Sequence, residues 1–317
     1  MRTTLALVVL SAAAFGQLPP SDQRIADLTE LIERKPDFAA AYYARGVTRL
    51  GVRQYADAEQ DFSKLIELKP DAAAYASRAE AYDAMKRYDQ EIADLTMAIS
   101  MKPGNPNYSL RRANGYRQKG ECQAAILDYN EVIRRAPGET AFRGRSACRK
   151  QLGDAAGAAE DDRMAEQMKA APAMLPAVPL APAPIAPPRI ATVPSNGTGF
   201  GAGTGGGGSV GSRPAASPSP DNVYRIGGGV SQPSILFKVE PEYSEEARKA
   251  KWQGAVTLSL VVNQFGETQN IKVVTALGLG LDEQAIEAVQ KWVFKPGRKD
   301  GAPVAVYATI QVTFKLL

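Results

Sequence analysis

A chain of 317 residues with ordinary apolar (44%) and charged (23%) fractions has room for about two or three folded units. Its formal charge is only +4, with both signs interspersed, which argues against the concentrated basic face of a nucleic-acid binder. It contains no histidine, which removes Ser-His-Asp and Cys-His nucleophilic sites, imidazole metal ligands and the usual near-neutral pH switch. On that inventory the chain is expected to be no enzyme, with no catalytic residues, no metal site and no cofactor. The carboxylate pair Asp161-Asp162 does not change this, because adjacent residues on a helix point to different faces.

The N-terminus has the pattern of an export signal. Arg2 supplies the positive charge, Leu5 to Phe15 an apolar run, and Ala14-Phe15-Gly16 the small residues of a cleavage site before Gln17. The run is shorter than the ~20 residues of a spanning helix. Residues 1–16 are therefore expected to be a signal peptide that directs the chain to the periplasm. The alternative is an uncleaved segment that anchors it weakly to the inner membrane through residues 5–15. Export would put Cys122 and Cys148 in an oxidising compartment. A disulfide and two small buried thiols are both open readings.

Residues 21–169 repeat. Pro36, Pro70, Pro103 and Pro137 recur at spacings of 34, 33 and 34. Asp27, Asp61, Asp94, Asp128 and Asp161 keep the same period, as do Arg45, Arg78, Arg112 and Arg145. Within each block the apolar and small residues follow helical spacing: Tyr42 and Gly46, then Ala58, Phe62 and Leu65, in the first. This puts an Arg on the first helix and an Asp on the second helix of each unit. The expectation is a structural ladder of ion pairs, Arg45, Arg78, Arg112 and Arg145 with Asp61, Asp94, Asp128 and Asp161. A row of ligand-binding charges is the alternative.

Period and pattern resemble the tetratricopeptide repeat, a helix-turn-helix unit of about 34 residues. The match covers about 38–170, with Ser21 to Lys35 as an extra half-repeat. Two departures are Ser109, where an aromatic is usual, and Glu91, where a small residue is usual. The resemblance implies an all-α solenoid with a concave groove lined by the first helices. Its groove positions fall on Tyr43, Val47 and Leu50, on Ala76, Glu80 and Asp83, on Leu110, Asn114 and Arg117, and on Arg143 and Lys150. The groove's ligand is expected to be a peptide of a second protein. Its identity is not readable, since Leu110 stands where some such arrays place a lysine clamp.

Residues 170–222 hold half of the 22 prolines, with Ala, Gly and Ser filling most of the rest. Too little apolar surface is present to fold, so this stretch is expected to be a disordered linker. Gly201, Gly203 and Gly206 fit a dinucleotide-binding spacing, but no strand precedes them and no helix follows.

Residues 223–317 regain order. Val256, Leu258, Leu260 and Val262 alternate with polar residues, Asn263-Gln264-Phe265-Gly266 makes a turn, and Ile271, Val273 and Thr275 form a second strand. Asp282 opens a helix whose apolar face is Ala285, Ile286, Val289 and Trp292. An earlier helix, Ser244 to Lys251, turns Ala247 and Ala250 inward. Val304, Val306, Ala308, Ile310, Val312, Phe314 and Leu316 alternate without interruption, which predicts a long antiparallel strand with one wet face. A small α+β unit follows, with a three-stranded sheet and two helices.

Tyr243-Ser-Glu-Glu-Ala247, Gln253-Gly254, Gly266, Leu281-Asp282, Trp292-Val-Phe294-Lys-Pro296 and Gly301-Ala-Pro303-Val304 resemble, in order, the C-terminal domain of the TonB energy transducers. The resemblance covers 235–317. It implies that the domain engages outer-membrane TonB-dependent transporters by strand addition to a free sheet edge. The implied edge is the last strand, at Val306, Ala308, Ile310, Val312 and Phe314. The expected function is a periplasmic, energy-transducing adaptor whose repeats recruit a second protein. The alternative is an envelope scaffold or assembly protein without energy coupling.

Overall fold

The computed structural model describes residues 18–170 and 223–316. The expected signal segment 1–16 and nearly all of the expected linker lie outside the described residues. Helices α1 (Ser21–Arg34), α2 (Ala39–Gly51), α3 (Tyr55–Leu68), α4 (Ala72–Ala84), α5 (Tyr88–Met101), α6 (Pro106–Lys119), α7 (Cys122–Arg135), α8 (Glu139–Gln151) and α9 (Ala155–Ala170) follow one another. Each packs against the next, so α2/α3, α4/α5, α6/α7 and α8/α9 form four antiparallel pairs and α1 stands as a lone leading helix. The all-α solenoid that the resemblance implies is the observed architecture.

The punctuation of the array has a backbone cause. A residue before proline is pushed out of the helical region by the ring. Lys35, Lys69, Lys102 and Ala136 precede the recurrent prolines, and they leave their helices with ψ of 84, 85, 75 and 76°. The turns inside the pairs use left-handed residues at the same period: Arg53, Lys86, Gly120 and Gly153 have φ of 63, 58, 84 and 84°. Asp71 caps α4 by accepting from the Ala74 amide at 2.7 Å. Small residues let the helices close up. A Cβ on Gly46 would lie 2.7 Å from the Phe62 ring, and one on Gly144 would lie 2.3 Å from the Tyr129 ring. Cys122 and Cys148 are free, buried thiols in one apolar cluster with Tyr129. Burial, with Cys122 beside it, pushes the Cys148 thiol up to about 12.

The second unit contains β1 (Val223–Tyr224), β2 (Ser234–Phe237), α10 (Glu245–Lys249), β3 (Gly254–Val262), β4 (Thr268–Thr275), α11 (Leu281–Gln290), β5 (Val293–Lys295), β6 (Gly297–Lys299) and β7 (Ala302–Phe314). The three strands legible in the sequence, β3, β4 and β7, are its framework. The sheet is nevertheless larger than three strands: its order is β1-β7-β3-β4, β6 adds to β7, and β2 pairs with β5 in a separate two-stranded sheet. These four additions are two to four residues long, too short for a period of two to show.

β3 and β7 pair in unbroken antiparallel register from Gly254↔Phe314 to Val262↔Val306. Their inward residues Val256, Leu258, Leu260, Ile310 and Phe314 pack on Leu281, Ala285 and Val289 of α11 and on Phe294. Ser244 caps α10, accepting from the Ala247 amide at 3.1 Å. One expectation needs correcting: Ala250 is exposed, because α10 ends at Lys249. Asp282 stands in the first turn of α11 as expected, and its carboxylate accepts from the Leu277 and Gly278 amides at 2.7 and 3.0 Å and so tightens the preceding loop. The two units touch: α1 and α2 meet β2 and β5, and Leu28, Leu31, Phe38, Leu236 and Val293 share one buried cluster.

Candidate partner-binding surfaces

The Arg and Asp rows meet. Arg45, Arg78, Arg112 and Arg145 reach Asp61, Asp94, Asp128 and Asp161 at 2.7, 2.8, 2.7 and 2.6 Å, each joining the two helices of one pair. The four carboxylates are buried. Arg49 and Arg149 add second donors to Asp61 and Asp161 at 2.7 and 3.0 Å. Each Arg of the row also has a partner that the sequence reading missed, on the helix one repeat before its Asp. Their Nη1 groups donate to Thr29, Ser63, Thr96 and Asn130 at 3.0, 3.1, 3.0 and 2.7 Å. Those four positions recur at the repeat period, so the signal was present, disguised by the change from hydroxyl to amide.

The groove positions separate into two recesses of opposite charge. Tyr43, Val47, Leu50, Glu80 and Asp83 border one of about 570 Å³. Asn114, Arg117 and Arg143 border another of about 460 Å³ with Glu139 and Thr140. The Tyr129 hydroxyl donates to Asn114 Oδ1 at 2.7 Å and accepts from Arg117 Nε at 3.3 Å, which fixes both groove side chains from behind. Arg143 is held by Glu139 and Glu166, each at 2.7 Å. Lys150 borders neither recess and pairs with Asp162 at 2.8 Å.

Glu91 sits on α5 where the other pairs carry Ala58, Ala125 and Ala158. It is buried, and its Oε2 has no partner among the described residues. Gly115 makes the room: a Cβ there would lie 3.1 Å from Oε2. Burial raises the Glu91 carboxyl to about 7, with Asp83 adding and Arg111 opposing. The folded value lies above the ordinary 4.5. The unfolded chain therefore ionises first, and stability falls as pH rises from about 4.5 to 7, then levels off. Glu91→Gln is expected to remove that slope and to stabilise the chain at pH 8 by roughly 2 kcal/mol. Urea unfolding of both proteins at pH 5 and pH 8 checks it. An unchanged slope in the variant would assign the titration to another group.

In the second unit, the side chains of Val306, Ala308, Ile310, Val312 and Phe314 are buried core residues. Any added strand therefore meets β7 through backbone groups and through the outward side chains, of which Tyr307 is 47% exposed. On the side of β7 away from β3, β1 covers only Ala305 and Val306. From Tyr307 to Phe314 no second strand pairs there among the described residues. β4 forms the opposite edge, but bulges interrupt its register with β3 and leave Val273 and Val274 exposed. Among the described residues no cluster of His, Cys, Asp or Glu is placed to hold a metal ion, and no helix is long and apolar enough to cross a membrane.

A grooved helical array joined to a sheet with a free edge is an architecture for binding proteins. Residues 239–316 match the family model described as Gram-negative bacterial TonB protein C-terminal, and residues 72–105 match that of the tetratricopeptide repeat. The chain thus combines a C-terminal domain of the TonB family with tetratricopeptide repeats, both of them protein-interaction domains. Protein TonB of Vibrio cholerae serotype O1 is 33% identical over 97 residues, which is 28% of this chain and 40% of that protein. Sperm-associated antigen 1 of Mus musculus is 30% identical over 83 residues, 26% of this chain and 9% of that protein. The crystal structure of MamA superposes with a TM-score of 0.47 and 18% identity, covering 50% of this chain and 99% of that one. The chain therefore spans 40% or less of the two curated relatives.

Proposed function

We propose that the protein is a periplasmic adaptor of the TonB type. Its C-terminal sheet takes up an extended segment of an outer-membrane transporter by strand addition, and its repeat groove holds a peptide of a second envelope protein. The observation that carries this reading is the outer edge of β7 from Tyr307 to Phe314, which no second strand among the described residues pairs, next to a register that β3 already fixes. Its side chains supply the inward anchor, so an added strand only has to satisfy backbone groups. The groove's acidic and basic recesses favour an extended ligand carrying both signs of charge over a uniformly acidic one.

Titration of the full chain with a synthetic plug segment of a TonB-dependent transporter, followed by amide exchange, is the test. Exchange at Tyr307–Phe314 is expected to slow on the order of tenfold while β4 is unchanged. Protection confined to β4, or none at saturating peptide, would overturn strand addition at β7. Energy coupling is the finer part of the proposal, and it differs from a passive envelope scaffold in needing attachment to the inner membrane. Mass spectrometry of the mature N-terminus separates the two: a retained Met1 supports coupling, and a start at Gln17 supports the scaffold.

A further inference from the structure

Among the described residues, α1 takes the position of a second helix with no first helix before it. Asp27 stands in the same row as Asp61, Asp94, Asp128 and Asp161, and Leu28 stands in the row of Phe62, Leu95 and Tyr129. In the complete pairs the Asp takes an Arg sixteen residues earlier, and Phe62 rests against Gly46 of its own first helix. The residue sixteen before Asp27 is Ser11, which supplies no such cation. Yet Asp27 and Leu28 are as buried as their counterparts. A buried carboxylate and a buried leucine both need a cover.

The C-terminal domain provides it. Lys295 of β5 donates to Asp27 Oδ1 at 2.8 Å, from 268 residues away. Leu236 of β2 and Val293 of β5 join Leu28, Leu31, Ile32 and Phe38 in one buried cluster, and the Phe237 ring stands edge-on to Tyr43 at 5.5 Å. The turn before β4 lies over the other end of the helix: Arg34 donates to the Gln264 carbonyl at 2.8 Å, and Lys35 pairs with Glu267. Arg298 reaches Glu30 at 3.0 Å. The charges run acidic then basic along α1, and basic then acidic across the domain, so only one orientation satisfies all of them.

We infer that this face of α1 and α2 is a docking surface for the chain's own C-terminal domain, whose β2–β5 unit covers the row that a first helix covers in the complete pairs. The partner is the covalently tethered domain, in cis. Docking leaves the outer edge of β7 beyond Val306 without a strand partner among the described residues, so a docked chain still offers that edge. It also places Phe237 against Tyr43, a groove residue, so the first recess and the docked domain share a wall.

Hydrogen exchange of the full chain tests this. In K295E/R298E, two like-charge contacts replace two ion pairs, and amides of α1 are expected to exchange roughly tenfold faster. The β3 and β7 amides should keep their protection, which shows that the domain itself remains folded. Adding D27K/E30R in the same chain restores opposite charges and should return α1 to its original rate. No change in K295E/R298E, or no recovery in the four-fold variant, overturns the inference. Dilution distinguishes the source of the cover: rates independent of concentration support docking in cis, and loss of α1 protection on dilution assigns the cover to a second copy and overturns it. Failure of peptide to bind at β7 leaves these rates untouched, so the two proposals fail separately.

Discussion

Asp61→Ala is expected to cost the helical array about 3–5 kcal/mol, because it strands two largely buried guanidinium groups. Asp61 is 2% exposed and accepts from Arg45 through both Nε and Nη2, and from Arg49. Removing the carboxylate leaves those cations facing each other between α2 and α3. Burial of the pair is what makes the loss large, since mutual attraction and desolvation are both strong there. The surface pair Lys64–Glu67 on the same helix is the control, and Glu67→Ala should leave stability unchanged within error. Urea unfolding followed by far-ultraviolet circular dichroism measures both. A cost below about 1 kcal/mol for Asp61→Ala would mean that water already screens the site.

Gly266→Ala is expected to destabilise the C-terminal domain by at least about 3 kcal/mol. The residue has φ of +82°, and a Cβ built on it falls 1.9 Å from the Phe294 carbonyl oxygen. That oxygen is backbone and cannot rotate away. The Phe294 amide donates to the Gly266 carbonyl at 3.0 Å, so the turn and β5 cannot part without breaking this bond. The variant therefore strikes at β5, the strand that also meets α2. Gly278 is the comparison. It has nearly the same φ, +81°, but a Cβ there meets nothing within 4 Å. Gly278→Ala should cost only about 1 kcal/mol, the backbone strain alone. Fluorescence of buried Trp292 during urea unfolding reads both variants, and equal costs would refute the steric account.

The repeats were legible because each unit meets the same physical demand at the same place. A proline follows α1, α3, α5 and α7, an Arg faces an Asp in every pair, and Gly46 and Gly144 admit the rings of Phe62 and Tyr129. The fold class of both units follows from such local regularities. β7 was equally plain, since its residues alternate over its buried length. What stayed hidden depends on distant chain segments. Ser234–Phe237 has no alternation to read, and its partner Val293–Lys295 directly follows a helix; their pairing, Ile235↔Phe294, spans most of the domain. Gln23 of the same helix donates to Asp27 at 3.0 Å, but the cation that pairs with it lies in the other unit, so no local pattern announces that ion pair. The division of the groove into recesses of opposite charge depends on which groove positions share a recess, and the acidic one emerges where Glu80 and Asp83 gather beside Tyr43. Which side of β7 is open is set by strand order, which alternation does not encode.

Because every ladder contact closes within one helical pair, apart from a single bond to the pair before it, a whole unit can be duplicated or deleted without orphaning a buried charge. Array length is thus free to drift through recombination in steps of one unit, provided the cut respects the proline boundaries. The leading helix is the exception. Its carboxylate relies on a lysine from the far module, so truncating either end of the gene would expose a defect at the opposite end of the protein.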